Sequence, residues 1–230
     1  MKTEQPVVLK RLMKLHPKPT HRSGLPFVLL ICLLLAGCTE LKQCAYQGIG
    51  RDEWQKPDQV IRSLAIRPGD HVADLGSGGG YFTLRLAKAV GPSGKVYAVD
   101  IDKGLNEALA KRARQEGYAN VEVVLAKVND PLLPKSGVDL IFTSNTYHHL
   151  KDRVKYFANV KKYLKPNGRV AIVEFKGEGW IDGVSGHYTA KEEIASEMKA
   201  AGYALQKDFD FLPRQHFLIF SEIGRHDDVL

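Results

Sequence analysis

Seven consecutive residues, Asp74-Leu75-Gly76-Ser77-Gly78-Gly79-Gly80, combine a carboxylate with glycines at alternate positions. Glycines at 76, 78 and 80 allow positive φ and let a ligand approach where a Cβ would collide. Asp74, two places before the first glycine, suits an ammonium group and would repel a pyrophosphate. Backbone N–H groups left unpaired at the start of a following helix suit a carboxylate. Capture of an amino-acid moiety is the chemistry this predicts. A dinucleotide fingerprint would read Gly-x-Gly-x-x-Gly, but Tyr81 stands where its third glycine belongs, which argues against a nicotinamide-dependent oxidoreductase.

A second carboxylate, Asp100, ends the β-rich run that starts at Lys95, twenty residues beyond Gly80. A carboxylate at the end of a second strand accepts hydrogen bonds from a ribose diol, so Asp100 is the expected ribose ligand. Asp102 reads as the cap of the next helix. The segment Ser144-Asn145-Thr146-Tyr147-His148-His149-Leu150 follows a fourth strand, at the carboxyl edge where open α/β sheets bind ligands. His148 and His149 are the candidate bases; the alternative is one helix-start hydrogen bond and one solvent-exposed ring. Trp54, in the arm over 51–57, and Trp180 and His187, in the segment 177–188, are candidates to line an acceptor pocket, with ordinary packing as the alternative for the tryptophans. No His, Cys and carboxylate grouping has zinc spacing, so no metal is expected.

The elements that must position these groups alternate. Strands are predicted at 71–75, 95–99, 121–125, 138–144 and 169–175, separated by helical stretches, the pattern of right-handed βαβ units. A helix is expected from Tyr81, directly after the glycines. Thr189-Ala190-Lys191-Glu192 reads as a capping box that opens a further helix closing near Gly202. Residues 203–209 and 215–220, split by Leu212-Pro213-Arg214, read as a closing hairpin. One domain suffices from Asp52 onward.

Four stretches carry a resemblance to a known family: Val72-Ala73-Asp74-Leu75-Gly76-Ser77-Gly78-Gly79-Gly80-Tyr81-Phe82, Val96-Tyr97-Ala98-Val99-Asp100-Ile101-Asp102, Val138-Asp139-Leu140-Ile141-Phe142 and Leu164-Lys165-Pro166-Asn167-Gly168-Arg169-Val170. Over about 54–220 the chain resembles the class I S-adenosylmethionine-dependent methyltransferases. The resemblance implies an α/β, Rossmann-like three-layer sandwich over 56–222, with a seven-stranded, mostly parallel sheet whose last strand is antiparallel. It implies S-adenosylmethionine as cofactor, held by Asp74, Gly76, Ser77, Gly78, Gly80, Tyr81, Asp100, Ile101, Val128 and Asn145. Trp54, Tyr147, Trp180 and His187 are the implied acceptor-side or lid residues. One position departs: Lys127 stands where related sequences carry an acidic residue near the adenine, and a lysine cannot accept from an adenine amino group. That leaves the base to the Val128 backbone, Ile101, and Asn129 or Asp130. The implied activity is methyl transfer to a small-molecule or membrane-proximal acceptor; the alternative is a nucleoside-binding lipoprotein that keeps the fold without turnover. Holding acceptor and methyl in line supplies roughly 7–11 kcal/mol, so a base is needed only where the acceptor must lose a proton.

The amino terminus has a different character. An apolar run from Leu25 to Ala36 follows basic residues and ends in Leu35-Ala36-Gly37-Cys38. Twelve residues fall short of the ~20 needed to cross a bilayer but suit a signal-peptide core. Leu-Ala-Gly-Cys resembles a bacterial lipobox, which predicts a signal peptide over 1–37, a lipid on Cys38, a linker and arm over 38–55, and a short tail over 223–230. Thr39 then predicts the outer membrane, facing the periplasm; if the signal is unused, the location is cytoplasmic. Six basic residues and one acidic give residues 1–37 a charge of +5 of the total +7, leaving +2 for the rest. The basic balance belongs to targeting, and no basic run with interleaved aromatics points to nucleic acid.

Overall fold

The computed structural model describes residues 50–177 and 187–224. The expected leader, Cys38, Trp180 and the end of the tail lie outside the described residues. Two helices, α1 (Arg51–Gln55) and α2 (Pro57–Ser63), precede β1 (His71–Leu75), α3 (Thr83–Val90), β2 (Lys95–Asp100), α4 (Lys103–Gln115) and β3 (Val121–Leu125). Then come β4 (Val138–Ser144), a 3-10 turn (Tyr147–His149), α5 (Arg153–Val160), β5 (Leu164–Phe175), α6 (Lys191–Ala200), β6 (Tyr203–Phe209) and β7 (Gln215–Glu222). The arm around Trp54, read as preceding the first helix, is itself helical.

The seven strands form one sheet in the order β3-β2-β1-β4-β5-β7-β6. β1 pairs in parallel with both β2 and β4, and β7 runs antiparallel to β5 and β6. The Rossmann-like layout with an antiparallel last strand is therefore the fold that forms. Side chains alternate across the sheet: Val72, Leu140 and Phe142 meet Val60, Leu64 and Leu86 on one face. Ala73, Leu75 and Ile141 meet Phe157, Val160 and Met198 on the other. Cover on both faces is why the inner strands read as unbroken apolar runs. The edge strand β3, half-exposed along its length, marks where that cover ends.

Three local readings differ from the outcome. α3 starts at Thr83, not Tyr81, because Gly80 holds φ +82° and Tyr81-Phe82 complete a turn first. β5 starts at Leu164; Asn167, at φ +66°, absorbs a jump in register from the Val138–Leu164 pair to the Leu140–Arg169 pair. The expected capping box at α6 does not form. Thr189 is buried with its hydroxyl unpartnered, Ala190 is the N-cap, and no side chain caps the helix. Glu192 and Glu193 in the first turn still complement the helix dipole, and Gly202, at φ +84°, follows its end as expected.

The chain runs outward from β1 to β2 and β3, then returns to the other side of β1 for β4 and β5. The carboxyl ends of β1 and β4 thus flank the switch point, where doubly wound sheets open a crevice.

Candidate active site

A cleft of about 910 Å³ opens over that switch point. Its floor is the glycine turn. Gly76 and Gly78 hold φ of +74° and +51°, and the Gly78 N–H donates to Asp100 Oδ2 at 2.9 Å. A Cβ on Gly76 would lie 2.1 Å from Thr146 Oγ1, so the glycine lets the first and fourth strand ends approach each other. Gly80 has a different role from the one expected. It does not line the cleft; a Cβ there would lie 2.2 Å from Leu109 Cδ1, so Gly80 makes room for α4.

Asp74 is buried at the end of β1 and accepts from the Thr83 hydroxyl at 2.6 Å. Burial pushes its carboxyl up to about 7, helped by the neighbouring Asp100 and opposed by Thr83 and Arg51. Arg51, from α1, lines the same cleft; its guanidinium lies 3.8 Å from the centre of the Tyr81 ring, and burial lowers its pKa. Arg85 covers the ring as well, at 4.4 Å, and the Tyr81 hydroxyl donates to Asp52 at 2.5 Å. Tyr81 therefore pins α1 to the turn while lining the cleft.

Asp100 stands at the end of β2, where its second oxygen accepts from the Asp102 N–H at 2.9 Å. Asp102 caps α4 as expected, accepting from Gly104 and Leu105 N–H groups. Ile101 and Val128 line the cleft with 63% and 60% of their surface exposed. Lys127 lines it too. Asn129 and Asp130 do not: the Asp130 carboxylate is taken by the Tyr163 hydroxyl at 2.5 Å and Lys162 Nζ at 2.9 Å.

The other half of the cleft lies over β4 and β5. Asn145, at φ +53°, accepts from Gln215 Nε2 at 2.7 Å, and Gln55 of α1 donates to Ser144 Oγ at 2.8 Å. The 3-10 turn splits the three residues after Thr146, since successive side chains on such a turn point about 120° apart. Tyr147, expected at the acceptor, turns into the core instead: it stacks on Phe157 and donates to Glu197 at 2.7 Å. His148 and His149 face the cleft. His148 Nδ1 lies 2.8 Å from Glu174 Oε1, with the two side chains 5% and 0% exposed, while His148 Nε2 has no partner among the described residues. The His148 N–H also donates to Glu174 Oε2 at 3.3 Å, and His149 is exposed, so the alternative reading of one bonded and one exposed histidine accommodates the pair as well.

His187, at the cleft rim, stacks on His148 at 5.4 Å between ring centres; His149 lies 4.0 Å from His148. Burial, then His148 and His187, hold the His149 imidazole below its ordinary pKa. Trp54 stacks on Phe175 at 5.8 Å, and both line the cleft. No group of three His, Cys, Asp or Glu able to hold a metal occurs among the described residues.

The donor set fits the implied cofactor. Asp74 offers an anion for an ammonium, Arg51 a cation for a carboxylate, Asp100 an acceptor for a diol, and Ile101 and Val128 apolar faces for a base. The Ser77 hydroxyl, buried beneath the turn without a partner among the described residues, is a further unspent donor. Sequence reasoning missed Arg51, Thr83, Phe175 and Glu174. Only Glu174 left a signal: one acid closing the apolar run Val170-Ala171-Ile172-Val173.

Residues 66–211 match the family profile described as a methyltransferase domain. The chain is 32% identical over 123 residues to a ubiquinone/menaquinone biosynthesis C-methyltransferase of Francisella philomiragia, covering 53% of this chain and 48% of that protein. It thus spans about half the length of the curated relatives it matches. A crystal structure of a SAM-dependent methyltransferase from Aquifex aeolicus superposes with TM-score 0.72 at 26% identity, covering 76% of this chain and 94% of that one. A Haemonchus contortus phosphoethanolamine N-methyltransferase in complex with S-adenosylhomocysteine, 17% identical, shares the fold with TM-score 0.58 over 73% of this chain and 52% of its own.

Proposed function

Because the chain belongs to the methyltransferase-domain family, we propose that it moves a methyl group from S-adenosylmethionine to a small-molecule acceptor whose nucleophile loses a proton to His148. When bound, S-adenosylmethionine supplies an electrophilic methyl on a good leaving group. Asp74 and Arg51 hold the amino-acid end, Asp100 the ribose, and Ile101 and Val128 the base. Glu174 fixes His148 through Nδ1, so the ring keeps its orientation and its buried Nε2, unpartnered among the described residues, is the nitrogen left to take a proton. α1, held by Tyr81 and Gln55, covers the cleft with Trp54 and restricts water.

The observation that supports this reading is the meeting, in one cleft, of the complete donor set and an unpartnered histidine nitrogen backed by a buried glutamate. Titration calorimetry with S-adenosylhomocysteine tests it. Saturable binding to the native chain, and at least about a hundredfold weaker binding in Gly78→Val, is expected, since a valine at positive φ both strains the turn and fills its floor. Equal binding in both proteins would remove the site assignment.

The location of the acceptor follows from the amino terminus. We propose that Cys38 carries a lipid that keeps the domain at a membrane surface, with membrane-proximal acceptors within reach; the support is the apolar run and the Leu-Ala-Gly-Cys that ends it. Cells fed radioactive palmitate should label the chain, and Cys38→Ala should abolish the label; persistent labelling would overturn the anchor.

A further inference from the structure

At the base end of the cleft the walls come from two short segments, Ile101 after β2 and Ala126-Lys127-Val128 after β3. The Lys127 N–H and C=O are both spent on a tight turn, donating to the Asp130 carbonyl at 2.9 Å and accepting from the Asp130 N–H at 3.2 Å. What Lys127 has left for the cleft is its ammonium; the residue is exposed, and that group has no partner among the described residues. The Val128 N–H is a second donor, likewise unpaired among the described residues. Acceptors are scarce by comparison. The Asp130 carboxylate is taken by Tyr163 and Lys162, Asp102 accepts from the Gly104 and Leu105 N–H groups, and Asp100 accepts from the Gly78 and Asp102 N–H groups at the ribose position.

We propose that this site does not select the 6-amino group of adenine and takes a 6-oxo purine nucleoside equally well, with Lys127 as the residue that sets the tolerance. The inference rests on the methyl-transfer reading above and adds the base specificity of the methyl donor. A 6-aminopurine offers an acceptor at N7 beside a donor at its amino group, whereas a 6-oxopurine offers acceptors at both N7 and O6. A lysine has three donors and no acceptor, so it pairs with both atoms of the second base and with N7 alone of the first. The Val128 N–H pulls the other way, since it fits the unprotonated N1 of adenine and not the N1–H of the oxo form.

The two donors therefore favour opposite bases and offset each other. Strong selection, about 10⁴–10⁵-fold, arises where the wrong ligand leaves a buried polar partner unpaired. Here the base end is open: Ile101, Lys127 and Val128 are all exposed, so whichever edge group goes unmatched keeps its water and no such penalty falls on either base. An acidic side chain at position 127 changes both sides of this balance, because it removes the donor that serves O6 and supplies an acceptor for the amino group.

The test is calorimetric titration of the full chain with S-adenosylhomocysteine and with S-inosylhomocysteine, the same molecule carrying a 6-oxo base. In the native chain the two affinities should agree within about tenfold. Lys127→Glu should shift their ratio at least about tenfold toward S-adenosylhomocysteine, the worth of one hydrogen bond with a charged partner. Both ligands are titrated into one preparation, so a partly misfolded variant lowers both signals and leaves the ratio intact. A native preference for either ligand beyond about tenfold overturns the proposal, and so does a ratio unmoved by Lys127→Glu. Binding of neither ligand to the native chain would count instead against the methyl-transfer reading itself.

Discussion

Over the ends of β1 and β2 the cleft is shaped by backbone: glycines at positive φ, an N–H aimed at Asp100, and a carboxylate closing each strand. Over β4 and β5 it is shaped by side chains that come from α1, the 3-10 turn, β5 and the run before α6. A backbone turn is fixed by a few adjacent residues, so its ligand changes little as the rest of the sequence drifts. A wall of side chains from distant segments is free to vary with the acceptor. The two halves should therefore respond independently to substitution.

The largest separation is expected at His148. His148→Gln keeps a hydrogen bond to Glu174 but loses the base, and transfer of labelled methyl into a cell-envelope extract should fall by about 10²–10⁴-fold while S-adenosylhomocysteine affinity stays unchanged. Loss of both together would mean that the halves form one unit. An unaltered rate would assign catalysis to proximity alone.

An intermediate effect belongs to Asp74, on the other half. With its carboxyl near 7 in the free protein, ionisation is needed before an ammonium can be held, so affinity should rise about tenfold per pH unit between 5 and 7 and level off above. Stability runs the opposite way. The folded pKa lies above the ordinary 3.8, so the native state binds more protons than the unfolded one between about 4 and 7, and stability is lost as pH rises through that window. Asp74→Asn should thus weaken S-adenosylhomocysteine about 10–100-fold at pH 8, as expected for a charged hydrogen bond, and yet raise the melting temperature of the ligand-free chain. A pH-independent affinity in the native chain would show that Asp74 does not meet the ammonium. Turnover per bound cofactor should be unaffected, which is the mirror of the His148 result.

How far the sequence was legible follows the same division. The strand sequence from β1 to β4, the glycine turn, Asp100 and the Asp102 cap depend on neighbours within a few residues, and all were readable from pattern. The acceptor wall was readable only in part. His148 stood out as a residue type, but its partner Glu174 lies 26 residues away and meets it only because β4 and β5 pair in parallel. Arg51 and Trp54 reach the cleft because α1 docks through Tyr81 and Gln55, contacts between segments 30 or more residues apart that no local pattern encodes. Tyr147 was misplaced for a subtler reason: it adjoins two cleft residues, and only the 3-10 geometry sends it inward.

The smallest effect concerns the approach to α6, just beyond His187. Thr189 has the residue type and spacing of a capping box, yet it lies one residue too early and its buried side chain cannot reach the first turn. Ala190, in extended conformation with φ −61° and ψ 146°, holds the N-cap without a hydroxyl to offer. Ala190→Ser supplies that acceptor at a backbone geometry already suited to it, and should stabilise the fold by about 0.5–1 kcal/mol in denaturant titration. Because α6 packs against β6 and α5, far from the glycine turn in the sheet order, S-adenosylhomocysteine affinity should not move. A gain in affinity alongside the gain in stability would mean that the start of α6 is coupled to the cofactor half through the His187 rim, and the independence of the two halves would have to be given up.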